Sequence, residues 1–231
     1  MVMGIFYNPK IVTDGLVLCL DAANKRSYPG TGTTWSDLAG ANDGTLTNGP
    51  TFDSDNGGSI VFDGSNDYVN FGTHAIPSTI TVEFWVSLDA ITGVHTSSFL
   101  AGHENSIGGS YRINYSNSGI SWVCCTTNNS WYSTGTNVNS SSLSTSSKIY
   151  HVVGTYDGSN NKIYIDGALN ATGANISGNI RSVAGNYTLS KPSAVNLNYF
   201  KGKIYSNRRY NRALTADEVR RNYEATKGRY E

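Results

Sequence analysis

The chain has 231 residues and no formal net charge, because 17 Lys and Arg residues balance 17 Asp and Glu residues. Proteins that bind nucleic acid or an anionic membrane carry basic patches, so this composition argues against both kinds of partner. The length fits one large β-sandwich, and a domain of this size buries roughly 70% of the surface that its unfolded chain exposes. Neither a disulfide nor a metal is therefore needed for folding.

Residues 1–13 are predicted to form an N-terminal arm, and residues 14–231 one folded domain. The arm has no basic stretch followed by a sustained apolar run, so it does not look like a secretory signal peptide. No part of the chain approaches the run of about 18 apolar residues that a membrane helix needs. The arm is too apolar for a solvated tail, and we expect it to dock on another chain. Its apolar residues include Ile11 and Val12, and its candidate assembly residues are Ile5, Phe6 and Tyr7.

Short strands separated by turn residues are predicted along most of the chain. Residues 80–88 alternate, with an apolar side chain at every second position from Ile80 onwards and with Glu83 and Trp85 among the residues between. This alternation is typical of a strand with one buried face. Residues 150–156 and 162–165 are predicted to pair as a hairpin. Further strands are predicted at residues 16–20, 59–62, 111–115 and 120–125, and so many short strands favour a sandwich or a barrel.

The three cysteines are Cys19, Cys124 and Cys125. An odd count with two adjacent members is a poor disulfide framework. We therefore expect them to be small, reduced core residues.

One helix is predicted, over residues 216–227. Thr215 and Glu218 have the spacing of a capping box, and Leu214 and Val219 that of a hydrophobic staple. Val219 and Tyr223 lie one turn apart and are expected to face the sandwich. Gly228 suits the end of the helix.

Four segments, taken together, resemble laminin G-like jelly-roll domains of the concanavalin A-like superfamily. They are GSIVFDGSNDYV at 58–69, ITVEFWV at 80–86, HVVGTYDG at 151–158 followed by IYIDG at 163–167, and YNRALTADEV at 210–219. The resemblance covers about residues 14–228. It implies an all-β fold, a two-sheet antiparallel jelly-roll sandwich with one short C-terminal α-helix. It implies no single activity, because such folds serve many functions.

The NPKIV start at residues 8–12 and the ending at 210–219 are also similar to free-standing laminin G-like domains in tailed-phage virion proteins. This similarity implies a non-enzymatic virion structural or attachment protein: a capsid decoration, fibre or tail-associated module. Its partners would be other virion proteins or copies of itself. It would be made in the host cytoplasm without a signal peptide and act in the virion. The alternative is a carbohydrate-binding module that recognises a cell-surface glycan.

Catalysis is not expected. Glycosidases need two carboxylates that flank one bond, and related sandwich glucanases carry them as a Glu-x-Asp-x-Glu-like run on one strand. Here Glu83 stands alone on its strand, and Glu104 has no second acid nearby in the sequence.

Glycan binding would use aromatic side chains as stacking platforms. The best candidates are Trp131 and Tyr132, which lie in a stretch rich in Asn, Ser and Thr, and Trp122 is a third candidate on a neighbouring strand. The favoured interpretation is that these rings fill the sandwich or a subunit contact, since large aromatic side chains dominate both.

Asp63, Asn66 and Asp67 offer the oxygen ligands that Ca²⁺ accepts. The favoured interpretation is a turn whose side chains bond to their own backbone. We expect no cofactor, with Ca²⁺ at these residues left open.

Residues 202–210 form a predicted strand in which Asn207 and Arg209 share an inward face with Tyr205. Related domains usually carry apolar residues at the positions of Asn207 and Arg209. We therefore expect Asn207 and Arg209 to contact a neighbouring chain, or Arg209 to meet an acid such as Asp21 or Glu218. The alternative is that Arg209 reaches solvent along its aliphatic stem.

Overall fold

The computed structural model describes residues 9–90, 97–105, 108–116, 118–128, 137–144, 148–173, 176–191 and 198–230, without the side chains of residues 97, 99, 104, 105 and 108. Two antiparallel sheets pack face to face, as the sequence predicted. The strands are numbered in chain order. From one edge to the other, the first sheet consists of β14 Ala168–Thr172, β13 Asn161–Ile165, β12 Ile149–Tyr156, β7 Ile80–Leu88, β16 Lys201–Tyr210, β5 Ser59–Asp63 and β4 Thr51–Asp53. An eighth strand, β1 Leu16–Asp21, also pairs with β16.

The second sheet also has eight strands. In spatial order they are β11 Asn137–Asn139, β10 Gly119–Cys124, β9 Gly108–Ser116, β8 Ser97–Asn105, β15 Asn186–Leu189, β6 Tyr68–Asn70, β3 Gly44–Thr47 and β2 Thr34–Trp35. The predicted strands and the predicted hairpin of β12 with β13 are confirmed.

β7 has the bounds that its alternating sequence predicted, but all nine of its residues are buried. Its apolar side chains, from Ile80 to Leu88, belong to the core between the sheets. The side chains between them, Glu83 and Trp85 among them, lie on the outer side. They are buried because the C-terminal helix covers this part of the first sheet, and helix residue Asn222 contacts Glu83.

Trp122 is a core residue, as the favoured interpretation predicted, and its candidate role as a glycan-binding residue was wrong. The ring is fully buried, and its indole Nε1–H donates to the Thr155 carbonyl at 3.0 Å. On the facing strand, a Cβ at Gly154 would lie 2.6 Å from the ring. Only a glycine lets the backbone approach the indole so closely. Trp131 and Tyr132 lie outside the described residues.

The C-terminal helix α1, Ala216–Thr226, begins at the predicted capping box and continues into a 3-10 turn, Lys227–Arg229. Thr215 Oγ1 accepts from the Glu218 amide at 3.3 Å, and Glu218 Oε2 accepts from the Thr215 amide at 2.9 Å. Val219 packs with Leu214 in a small cluster on the outer side of the first sheet. Among the described helices, none is long and apolar enough to cross a membrane.

The end of the predicted arm packs on its own chain. Val12 is buried in the same cluster as Val219. Its amide donates to Asn222 Oδ1 at 2.7 Å, and its carbonyl accepts from the Tyr210 hydroxyl at 3.1 Å. The prediction that Val12 belongs to an arm docked on another chain was therefore wrong. Ile5, Phe6 and Tyr7 lie outside the described residues.

A β-bulge in β16 decides which of its side chains face the interior. The register with β7 shifts after Ile204, a core residue. The Tyr205 ring then lies on the outer side and contacts Tyr230, whereas Asn207 and Arg209 point inward. The prediction that Tyr205 shares their face was wrong, because the extra residue of a bulge inverts the alternation.

Asn207 and Arg209 are buried within this chain, and their prediction as assembly residues was wrong. The Tyr187 hydroxyl donates to Asn207 Oδ1 at 3.0 Å. Arg209 Nη1 donates to the Tyr111 hydroxyl oxygen at 3.2 Å, and the guanidinium lies 4.8 Å from the centre of the Tyr187 ring. Tyr111 and Tyr187 of the same chain therefore make the contacts that were expected from a neighbouring subunit.

Neither of the acids proposed for Arg209 contacts it. The Asp21 carboxylate accepts from Arg229 at 2.8 Å. The Glu218 carboxylate accepts two hydrogen bonds from Arg212, at 2.7 and 2.8 Å.

The turn at Asp63 makes the bonds that the favoured interpretation predicted. Asp63 Oδ1 accepts from the Ser65 amide at 2.7 Å, and Asp67 Oδ2 accepts from the Asp63 amide at 3.1 Å. Burial raises the pKa of Asp67. Within the described ranges no group of three or more His, Cys, Asp and Glu side chains could hold a metal ion. Calcium binding at Asp63, Asn66 and Asp67 stays a prediction. The three cysteines are buried and free, as expected.

Candidate functional site

A pocket of about 400 Å³ opens on the outer side of the first sheet, beside the C-terminal helix. Three aromatic side chains, Trp85, Tyr223 and Tyr230, line it, and we call it the aromatic pocket. Trp85 comes from the outer side of β7, Tyr223 from α1, and Tyr230 from the residue that follows the 3-10 turn. The pocket therefore brings together elements that are far apart in the sequence.

Contacts among the three rings fix the apolar part of the pocket. The Trp85 and Tyr223 rings are nearly parallel, with centroids 5.7 Å apart, and the centroid of Tyr230 lies 4.4 Å from that of Trp85. The Trp85 indole N–H donates to Thr226 Oγ1 at 2.9 Å. Gly167 has a φ of 76°, and a Cβ there would lie 2.8 Å from the Tyr223 ring. The rings are thus held in place before any ligand arrives.

The rim of the aromatic pocket carries polar groups. Lys148 Nζ donates to Asp166 Oδ2 at 3.0 Å, and Asp166 Oδ1 accepts from the His151 amide at 3.0 Å. The hydrogen bond that Lys148 donates to Asp166 raises the pKa of Lys148. Asn56 adds an amide. Donors and acceptors therefore stand beside an aromatic surface.

A buried ionic cluster lies next to the aromatic pocket, on the outer side of β7. Glu83 Oε1 accepts from Arg208 Nη1 and, at 3.1 Å, from His151 Nε2, while Glu83 Oε2 accepts from Asn222 Nδ2 at 2.7 Å. All four side chains are at least 95% buried. Perturbed ionisable groups often mark catalytic sites, but these have no access to a substrate. The cluster ties α1 to the sheet.

The ionic cluster makes stability depend on pH. Burial alone would raise the pKa of Glu83, but Arg208, His151 and Asn222 lower it from 4.5 to about 2. The stabilisation is therefore fully present above pH 4.5 and is lost as the pH falls towards 2. We expect wild type to lose about 3 kcal/mol more than Glu83→Gln across this range, in urea unfolding measured at several pH values. Parallel pH profiles for the two proteins would contradict this.

A second pocket, of about 350 Å³, opens at one end of the sandwich, between Arg209 and residues 74–77. Its walls are largely apolar. It shares no lining residue with the aromatic pocket. We call it the arginine pocket.

The outer side of the second sheet is the other sheet face that points away from the core. Strand register places one residue from each of seven strands in a row across it. The row consists of Thr45, Asn70, Thr188, Gly102, Arg112, Val123 and Asn137. No residue of this row is aromatic. Tyr68, two positions from Asn70, is half buried and has Lys191 Nζ 4.4 Å from the centre of its ring.

Sequence reasoning missed the aromatic pocket, although two signals were present. Trp85 falls on the polar side of an alternating strand, where a large aromatic ring is expected to be buried by another structural element. Tyr223 lies one turn after Val219 on the same face of a well-capped helix. No local pattern indicated that Asp166, Lys148 and Tyr230 would join them.

Two facing antiparallel sheets with one helix across an outer side define a lectin-like jelly-roll sandwich. A family model described as the concanavalin A-like lectin/glucanases superfamily, of laminin G type, matches residues 63–220. This match covers more than half of the chain, and the chain belongs to this family. A search among curated proteins found no match.

Solved structures share the fold. The binding domain of Paraclostridial Mosquitocidal Protein 1 superposes with a TM-score of 0.71 at 15% identity, covering 91% of this chain and 52% of that one. Another similar structure is domain 4 of AbnA, an extracellular arabinanase from Geobacillus stearothermophilus, in complex with arabinotriose. It superposes with a TM-score of 0.65 at 18% identity, and the match covers 89% of this chain and 96% of that domain. Trypanosoma rangeli sialidase in complex with the inhibitor DANA superposes with a TM-score of 0.64 at 18% identity, and the match covers 94% of this chain and 35% of the sialidase.

The chain thus spans about half of the mosquitocidal binding domain's chain and about a third of the sialidase. At these identities the likeness concerns the fold.

Proposed function

We propose that this chain is a non-catalytic saccharide-binding module and that the aromatic pocket holds the sugar. The observation that carries the proposal is the grouping of Tyr223 and Tyr230, packed on the buried Trp85 ring, beside the charged rim of Lys148 and Asp166. Membership of a lectin-like family and the arabinotriose complex of a similar domain support it.

The chemistry of the aromatic pocket suits a sugar. A sugar ring has apolar C–H faces that pack on aromatic rings, and hydroxyls at its edge that both donate and accept hydrogen bonds. Asp166 can accept from such hydroxyls and Lys148 can donate to them. The volume of about 400 Å³ lies near the lower end of the range for small-molecule sites, about 300–1,000 Å³, which suits one or two sugar units.

The same geometry supports binding without hydrolysis. Hydrolysis of a glycosidic bond needs two carboxylates on opposite sides of it. Among the described residues, Asp166 is the only carboxylate that lines the aromatic pocket, and it already accepts from Lys148 and from a backbone amide. The buried carboxylate of Glu83 is held by Arg208.

The virion setting inferred from the sequence is part of the proposal. In that setting the module would attach a phage particle to a cell-surface glycan and would contact other virion proteins or copies of itself. The similarity of residues 8–12 and 210–219 to phage domains supports it. A mass-spectrometric inventory of purified virions from the source would test it, and absence of this chain from the particles would contradict it.

Saccharide binding is tested with two matched pairs of variants. We expect Tyr230→Ala to weaken oligosaccharide binding at least about tenfold, because it removes a stacking ring. Tyr68→Ala, which truncates a half-buried tyrosine beside a lysine on the second sheet, should leave binding unchanged. We expect Lys148→Ala to weaken binding roughly fivefold. Lys162→Ala, which breaks a comparable exposed ion pair with Asp157, should not.

Binding is measured by calorimetry, starting with arabinotriose and a panel of neutral and acidic oligosaccharides, on variants whose thermal unfolding matches wild type. Equal losses in Tyr230→Ala and Tyr68→Ala would contradict the assignment to the aromatic pocket. If no member of the panel binds wild type, the proposed function fails.

A further inference from the structure

We propose that the arginine pocket binds a small monocarboxylate on the guanidinium of Arg209. The pocket is independent of the saccharide site, since the two share no lining residue. Its volume of about 350 Å³ is within the range of small-molecule sites, about 300–1,000 Å³.

No described residue of opposite charge is in contact with the Arg209 guanidinium. The side chain is 96% buried and lines the pocket. Among the described residues it donates one hydrogen bond, to the Tyr111 hydroxyl oxygen, and no carboxylate lies within 4.0 Å of it. A buried guanidinium is costly unless it is both paired and hydrogen-bonded. The remaining N–H groups can therefore serve a ligand.

Asp37 does not take the place of that ligand. Its carboxylate acts on Arg209 through space but is already occupied by donors nearer to it. Oδ1 accepts from the amides of Cys19 and Ala39, at 2.8 and 2.9 Å, and Oδ2 accepts from the amide of Asn42 at 3.2 Å. Asp37 thus lowers the local positive potential without contacting the guanidinium.

His74 adds no charge at neutral pH. Burial and the neighbouring Arg209 guanidinium lower the pKa of His74 to about 4, and its Nε2 lies 2.9 Å from the Phe71 carbonyl. Arg209 is then the one cation among the described residues that line the pocket, and Asp37 weakens its field, so a monoanion matches the pocket better than a dianion such as phosphate.

The walls of the arginine pocket define the rest of the ligand. Val17, Ile76 and Pro77 are apolar, and Asn211 supplies an amide. The Asn42 amide also lines the pocket, but its Nδ2 already donates to the Val17 carbonyl and to Asp37. A planar carboxylate can form two parallel hydrogen bonds with a guanidinium, which gives the contact geometric specificity. A short apolar body would pack against the walls. The ligand class is therefore a monocarboxylate with a small body.

The test uses isobutyrate, with its uncharged amide isobutyramide as the control ligand. In wild type, isobutyrate should shift the methyl NMR signals of Val17 and Ile76, and isobutyramide should not. Arg209→Met, which keeps the length and removes the charge, should weaken isobutyrate binding at least tenfold. Arg220→Met, which removes an exposed arginine, should leave it unchanged.

Equal binding of acid and amide, equal binding to wild type and Arg209→Met, or shifts confined to other sites would overturn the proposal. The wild-type comparison of acid with amide decides the matter even if Arg209→Met does not fold. Glucuronate carries a carboxylate on a polar sugar ring, and comparing its binding with that of isobutyrate identifies which kind of molecule supplies the carboxylate. Tighter binding of isobutyrate points to a free short-chain acid, and tighter binding of glucuronate to an acidic saccharide.

Discussion

Glu83→Gln should lower the free energy of unfolding by about 3–5 kcal/mol, the usual cost of removing one partner of a buried ion pair. The substitution keeps the shape of the side chain and removes its charge. Arg208 is 4% exposed and pairs with Glu83, so its guanidinium would stay buried without a carboxylate. Urea unfolding of wild type and variant at neutral pH measures the difference.

Two further variants identify the cause of this loss. Glu224→Gln changes an exposed glutamate that pairs with Lys227 at the surface, and it should alter stability by less than about 0.5 kcal/mol. Adding Arg208→Met to Glu83→Gln removes the buried charge and should recover part of the loss. Near wild-type stability of Glu83→Gln would show that the pair is not buried as described.

Trp122→Ala should cost about 3–5 kcal/mol, as is usual for a large aromatic side chain in a core. For a chain of this length, such a loss lowers the melting temperature by roughly 10 °C. The ring fills the space opposite Gly154, and its N–H satisfies the Thr155 carbonyl. Both the ring volume and the hydrogen bond would be lost.

Trp122→Phe retains most of the ring and should lose less than Trp122→Ala. If Trp122→Ala instead unfolds like wild type but binds oligosaccharide poorly, the ring lies at the surface and its candidate role in glycan binding was right.

The sequence predicted those parts of the fold that local patterns determine. The alternation from Ile80 to Leu88 and the capping box of Thr215 and Glu218 are local, and both elements lie where they were predicted. The family resemblance supplied the arrangement of the sheets. The Asp63 turn was also predicted, since an Asp followed by Gly can bond to its own backbone.

Other features depend on tertiary packing, which no local pattern shows. The bulge near Tyr205 inverts the alternation of β16, and the residue types around it do not indicate that β16 has one residue more than its partner strand here. An aromatic side chain in a strand, such as Trp122, has the same local pattern whether it faces the core or a ligand. The aromatic pocket joins Trp85, Asp166 and Tyr230, which only the folded chain brings together.

Stability and binding are connected in this molecule. Asn222, which binds Glu83, and Tyr223, which lines the aromatic pocket, are consecutive residues of α1. Loss of the ionic cluster would loosen the helix and therefore displace the Tyr223 ring. We expect Glu83→Gln to weaken oligosaccharide binding as well as folding, although Glu83 does not line the pocket.

Saccharide binding at the aromatic pocket is tested most directly by the indole N–H signals of the four tryptophans in ¹⁵N-labelled protein. Trp85 is 2% exposed and lies at the base of the aromatic pocket, whereas Trp35 and Trp122 are buried elsewhere in the core and serve as internal controls. Titration with an oligosaccharide that binds should shift the Trp85 signal and leave those of Trp35 and Trp122 in place. A shift of Trp131 with Trp85 unmoved would contradict the assignment and place the sugar at the residues that the sequence first indicated.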